Sequence, residues 1–176
     1  VTTGHLTTRP HDEAALHLVC GKIAAGKSTL AARLAQAPRT ILISEDAWLA
    51  KLFPDEIHSV DDYIRCAARI KAVLAEHVEA LLRAGLVVVL DLPFNTSNSR
   101  AWGLAIATRA KCAHRLHFID VADDVCKARL RCRNELGEHP FQTSDAQFDR
   151  ITSFFTAPAP EERLDVLVYD ESGNAR

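Results

Sequence analysis

No apolar run in this sequence reaches the length of a membrane-spanning helix, and its first fifteen residues hold no signal-type hydrophobic stretch. The expectation is a cytoplasmic chain that makes no contact with membrane. Charge of one sign is also missing. A formal net charge of -2 leaves no global field to attract nucleic acid or an anionic surface. The sequence has no Cys-x-x-Cys pair. Cys20, Cys66, Cys112, Cys126 and Cys132 are odd in number and scattered, which favours reduced, packed thiols over a disulfide or zinc framework. The eight histidines include no His-Glu-x-x-His. His114 and His117 fall three apart on an expected strand and so point to opposite faces. No metal site made of protein ligands alone is visible. Repeats, low-complexity tracts and internal linkers are absent too, and 176 residues suit one domain with a real core.

What is present is concentrated at one place. Gly21-Lys22-Ile23-Ala24-Ala25-Gly26-Lys27-Ser28 is a complete Walker A loop, followed by Thr29. Its backbone can wrap an oligophosphate with several N–H groups pointing inward. Lys27 then reaches the β- and γ-phosphates, and the Ser28 hydroxyl can hold Mg²⁺. Leu16–Cys20 reads as a short strand entering the loop, and Ser28–Ala35 as an alanine-rich helix leaving it. That order puts the phosphates at a helix N-terminus, where unpaired N–H groups and the helix dipole favour anions.

Further along, strands are expected at Thr40–Ile43, Leu86–Asp91, Leu116–Val121 and Leu164–Tyr169. Helices are expected around Trp48, from Asp61 or Asp62 to Arg83, from Asn98 to Lys111, over Asp123–Arg133 and from Ser144 to Phe155. On the long helix, Ile64, Ala68, Val73, Val78, Leu81 and Leu82 form the expected apolar side, and Gly85 ends it. Residues 1–14 form a loose polar lead-in, 15–170 the domain, 171–176 a tail, and 134–143 a polar segment of lid type. Alternating strands and helices predict an α/β domain with a mostly parallel sheet.

Asp91 ends an apolar, non-alternating run of the kind buried on both faces. An acid there can hold Mg²⁺ opposite Ser28, or merely close the turn. Asp46 follows the second strand on the side where ligands gather in such sheets. It can accept the proton of an attacking hydroxyl, or cap the next helix; Glu45 could take the first role instead. Arg129 and Arg133 share a face at the end of the fifth helix, and Arg131 points elsewhere. They could close over phosphates or form a solvated face beside the helix C-terminal dipole. Asn95 and Arg100 are candidate acceptor contacts. Trp48, Phe53, Phe94 and Trp102 either line an acceptor pocket or pack in the core. With no Asn/Thr-Lys-x-Asp stretch, nothing reads guanine, so ATP is the expected nucleotide.

Taken together these residues resemble the small P-loop kinases that phosphorylate a hydroxyl group. The likeness is nearest to zeta toxins, chloramphenicol phosphotransferases and polynucleotide 5′-kinase-like ATPases. It spans Leu16 to about Tyr169 and rests on GKIAAGKST, ISED, VVVLDLPFNTSNSR, RLRCRN and the Phe154/Phe155…Pro158…Pro160-Glu161-Glu162 tail. The resemblance implies a P-loop NTPase fold: a three-layer sandwich on five parallel strands, with the Asp91 strand beside the phosphate-loop strand. It also implies Asp46 as general base, Asp91 as Walker B acid and Arg133 or Arg129 as the lid arginine. One departure stands out. Polynucleotide kinases of this group usually carry an arginine one turn after the catalytic aspartate, and here Leu49 and Ala50 occupy that place. A nucleic acid 5′-end is therefore disfavoured, and a small alcohol (antibiotic, sugar or metabolite) fits the Trp48/Leu49/Phe53 environment. The expectation is an ATP- and Mg²⁺-dependent phosphotransferase, monomeric or homodimeric. A nucleic acid or nucleotide-sugar acceptor, and an ATP-dependent switch without transfer, are the alternatives.

Overall fold

The computed structural model describes residues 13–137 and 142–176. Its elements run β1 (Ala15–Cys20), α1 (Lys27–Leu34), β2 (Thr40–Ser44), α2 (Glu45–Leu52), α3 (Val60–Arg83) and β3 (Val87–Asp91). They continue with α4 (Ser97–Ala110), β4 (Ala113–Ile119), α5 (Asp123–Leu136), α6 (Asp145–Thr152), a 3-10 turn at Pro160–Glu162 and β5 (Val166–Tyr169). The five strands form one sheet in the order β2-β3-β1-β4-β5, with every neighbouring pair parallel.

Parallel pairing demands crossover connections, and the crossovers cover both faces with helices. Leu16, Leu18, Val88, Leu90 and Leu116 face one way and pack with Ile70, Leu74 and Val78 of α3 and Ile106 of α4. Side chains one residue out of phase face the other way. Val19 and Val89 meet Ala31 of α1, and Ile119 packs with Leu130 of α5 and Phe148 of α6. This is the three-layer arrangement expected of the P-loop NTPase fold, with β3 directly beside β1.

Several local expectations are corrected. Ser59, not Asp61 or Asp62, caps α3: its hydroxyl accepts from the Asp62 N–H, and the two aspartates sit in the first turn. Ile64 and Val73 are exposed, and the core seam of α3 is Cys66, Ala67, Ile70, Leu74, Val78 and Leu82. A 24-residue helix carries more apolar residues than one face needs, so composition alone does not pick the seam. Gly85 does stop α3, at φ 80°, a left-handed turn that only glycine adopts without strain. The segment expected as a lid starts inside helix, since α5 runs to Leu136. Residues 138–141 of that segment, and residues 1–12 of the lead-in, lie outside the described residues.

Candidate active site

The sheet delivers the carboxyl ends of β1, β2 and β3 to one cleft of about 660 Å³. From the loop after β1, Ile23, Ala24 and Gly26 line it, joined by Lys27, Ser28 and Thr29 of the first turn of α1, while Ala25 is packed beneath among core side chains. Gly26, at φ 108°, caps α1 without a side-chain hydrogen bond, so the first turn of α1 presents its N–H groups to the cleft. Gly21 takes φ 152°, and a Cβ on it would meet the Ile119 carbonyl at 2.9 Å. Its N–H donates to Asn95 Oδ1 at 3.0 Å, so the loop following β3 clamps the start of the phosphate loop.

The Lys27 ammonium donates to the Gly21 and Lys22 carbonyls, at 2.8 and 2.7 Å. Burial pulls its pKa below the ordinary lysine value, against the opposing pull of Asp91 and, more weakly, Asp46. A desolvated ammonium held on loop carbonyls gains most from an arriving polyanion. Lys22 supplies backbone only; its side chain is paired with Asp123 and the Val121 carbonyl.

Asp46 and Glu45 open α2, but neither is its cap. Ser44 caps the helix through the Ala47 N–H, which removes the capping explanation for Asp46. Asp46 lines the cleft two residues beyond Ser44, which pairs with Asp91 across β2 and β3. Behind it, the Tyr63 hydroxyl of α3 donates to Glu45 Oε2 at 2.8 Å and lies 3.5 Å from Asp46 Oδ1. Glu45 is 1 % exposed, and burial raises its pKa above the usual carboxylate value despite Lys71 and Tyr63. Its Oε1 accepts no hydrogen bond among the described residues; the Lys71 ammonium stands 3.9 Å away.

From α5, both candidate arginines reach the cleft, in different states. Arg129 is engaged, donating to the Ala25 carbonyl at 3.3 Å and the Glu171 carbonyl at 2.7 Å. Arg133 has a buried Nε with no partner among the described residues. Desolvation lowers its pKa, with Asp46 opposing. A buried, unmatched guanidinium N–H calls for an anion.

Two expected acceptor contacts are corrected. Arg100 is wholly buried away from the cleft, bridging Glu162 at 2.7 Å through Nε and Nη2 and donating to the Phe94 and Thr156 carbonyls. It bolts the tail to α4. Trp48 and Phe53 pack against the core and Leu49 lies inside it, so none of the three lines the cleft. On that side the cleft is lined instead by Ile57, His58, Ser59, Val60 and Tyr63, at and just before the start of α3. No motif marks these residues; the only sequence signal was a polar stretch ahead of a long helix.

The geometry is that of a nucleotide cradle facing a carboxylate, and the chain matches the AAA domain family over residues 16–158. It belongs to that family. Among solved structures, this AAA domain is similar to a candidate kinase from Chloroflexus aurantiacus, at 23 % identity and TM-score 0.72, covering 90 % of this chain and 86 % of that one. It is also similar to a protein of the PezAT toxin–antitoxin system of Streptococcus pneumoniae, at 13 % identity and TM-score 0.70, covering 93 % and 71 %. A gluconokinase from Sinorhizobium meliloti follows the same fold at 16 % identity and TM-score 0.58, covering 91 % and 84 %. No curated protein matches the sequence. At these identities the structural likeness establishes a P-loop kinase-like fold. Among the described residues no helix is long and apolar enough to cross a membrane, and no three His, Cys, Asp or Glu side chains gather as a metal cage.

Proposed function

We propose that this AAA domain transfers the γ-phosphate of ATP to a hydroxyl group of a small molecule. The observation that carries the reading is the convergence of Lys27, Asp91, Arg133 and Asp46 on one cleft, with the capping task of Asp46 taken over by Ser44. The acceptor oxygen bonds to the γ-phosphorus, its proton passes to the Asp46 carboxylate, and the bond to the β,γ-bridging oxygen breaks to release ADP. Lys27 and the N–H groups of α1 hold the β- and γ-phosphates through the transfer. Arg133 offsets charge that grows on the phosphoryl oxygens. Ser28 and Asp91 line the cleft beside Lys27 and fit as the holders of Mg²⁺, which when bound neutralises phosphate charge.

Several of the structural relatives are named as kinases, which favours transfer over mere nucleotide binding. The deciding experiment is transfer of labelled γ-phosphate from ATP-Mg²⁺ to a panel of sugars, nucleosides, antibiotics and oligonucleotides. Labelled product from a small molecule, lost in Asp46→Asn, is the expected result. Tight ATP binding with no transfer to any acceptor would support a nucleotide switch instead.

A further inference from the structure

Among the described residues three carboxylates line the cleft, and the transfer step above uses two of them, Asp46 and Asp91. Glu45 has no part in it, yet it is the most deeply buried, at 1 % exposure against half-buried neighbours. A carboxylate taken out of water costs free energy unless it is well bonded. The Lys71 ammonium stands off at 3.9 Å from Oε1, and the closer bond is the Tyr63 hydroxyl, which donates to Oε2 at 2.8 Å. The Tyr63 ring packs against the core and its residue borders the cleft, so packing fixes where the hydroxyl stands. Glu45 and Asp46 are consecutive in the first turn of α2 and point about 100° apart, so one side chain from α3 can reach both. A phenol carries one proton and accepts on its remaining lone pairs. With that proton turned to Glu45, the oxygen offers an acceptor to Asp46 Oδ1, 3.5 Å away. Catalytic hydrogen bonds are often long before ligand arrives and tighten in the complex.

We propose that Glu45 is a positioning residue that acts on Asp46 through Tyr63. It holds the phenol proton to itself, so that the phenol oxygen receives the O–H of Asp46 once Asp46 has taken the acceptor's proton. This rests on the phosphotransfer reading above. An ionised Asp46 gains nothing from a lone pair, whereas the carboxylic acid it becomes gains a partner; the arrangement therefore favours proton uptake. Without Glu45, the phenol proton turns to the ionised Asp46 and holds it in the form that has accepted nothing. Arg133 of α5 and Lys27 of α1 also act on Asp46 through their charge, and Asp91 of β3 acts on Glu45. The relay does not require Asp46 or Tyr63 to be without other neighbours.

The test uses the full chain with γ-labelled ATP-Mg²⁺ and a dilution series of a small-molecule extract of the cells that make it. Maximal transfer rate and half-saturating dilution are read, with rates expressed per ATP-binding site counted by calorimetric titration, which removes any misfolded fraction. Tyr63→Phe and Glu45→Ala should each lower the maximal rate about tenfold, a part of what general-base catalysis contributes. Half-saturating dilution and ATP affinity should stay as they are. The double variant Glu45→Ala/Tyr63→Phe should fall no further than Tyr63→Phe alone, because Glu45 then has nothing to act through. Glu45→Gln, whose amide oxygen still accepts from Tyr63, should recover most of the rate lost in Glu45→Ala. Losses that multiply in the double variant, or no recovery in Glu45→Gln, overturn the proposal, as does an unchanged rate in Tyr63→Phe. A shift in half-saturating dilution at unchanged maximal rate also overturns it, making the pair acceptor contacts. Each of these leaves the kinase reading standing while Asp46→Asn still abolishes transfer. Label found only in ATP and inorganic phosphate with the unaltered chain removes the kinase reading, and this inference with it.

Discussion

Arg129 and Arg133 lie one helical turn apart on α5 and still meet different fates. Arg129 spends its donors on the Ala25 and Glu171 carbonyls, a brace between the phosphate loop and the tail. Arg133 keeps a buried, unmatched Nε near Asp46. Removing a donor aimed at transition-state charge typically costs about 10²–10³ in turnover. Arg133→Ala is therefore expected to lower kcat by about that factor in a single-turnover transfer assay. Arg129→Ala should act mainly on nucleotide affinity and thermal stability; a larger kcat loss from Arg129→Ala would reverse the assignment. For Asp46→Asn the expected loss is about 10²–10⁴ in turnover with ATP affinity retained, read by calorimetric titration beside the transfer assay. The sequence could not separate the two arginines, because what distinguishes them is the neighbour each one meets. Asp46 was ambiguous for a related reason: its role depended on whether Ser44, two residues away, supplied the cap.

Between elements, α4 is held in two ways that no motif announces. Gly103 lets the helix lie against β1 and the β3 loop: a Cβ there would stand 2.7 Å from Leu18 Cδ1 and 2.9 Å from Phe94 Cε1. Gly103→Ala should destabilise the chain by about 1–3 kcal/mol through overpacking, seen as a lower denaturation midpoint at unchanged m-value. Three residues earlier in the helix, Arg100 reaches 62 residues along the chain to Glu162. Arg100→Ala leaves that carboxylate without its partner and should cost about 3–5 kcal/mol in thermal or denaturant unfolding. Its sequence position, nine residues past Asp91, suggested an acceptor contact. Only the packing of the Pro160–Glu162 turn against α4 shows that the guanidinium points into the core.

At the scale of the whole molecule, three strands are tied through the helix-covered face by a polar chain. His17 Nδ1 of β1 meets His117 Nε2 of β4 at 2.8 Å, and His117 Nδ1 meets the Tyr169 hydroxyl of β5 at 2.8 Å. Burial is the main cause that lowers the pKa of both histidines, that of His117 to about 4, with the His17 and Arg115 charges adding to it. The fold thus prefers neutral imidazoles, while the unfolded chain protonates them near 6.5. Their contribution is full above about pH 6.5 and is lost as pH falls towards about 4, because the unfolded state binds more protons across that window. Glu45, with its raised pKa, has the opposite sign and costs stability at neutral pH. The expected outcome is a fall on the order of 2 kcal/mol between about pH 7 and pH 4.5, measured by denaturant unfolding. A flat profile over that window would mean that the imidazoles are not held neutral.

Strand, loop and helix around GKIAAGKST were determined by the sequence itself, as were the parallel sheet and the place of Asp91. Each depends on residues adjacent in the chain: turn-forming glycines, a buried apolar run, an alanine-rich helix start. Tertiary structure alone decided the cleft wall opposite the phosphate loop, which Ile57, His58, Ser59, Val60 and Tyr63 line while Trp48, Leu49 and Phe53 are drawn into or against the core. It also decided which arginine stays unmatched and that Arg100 is a bolt. Those outcomes turn on which side chains meet across tens of residues, and such meetings are set by packing, which local pattern does not encode.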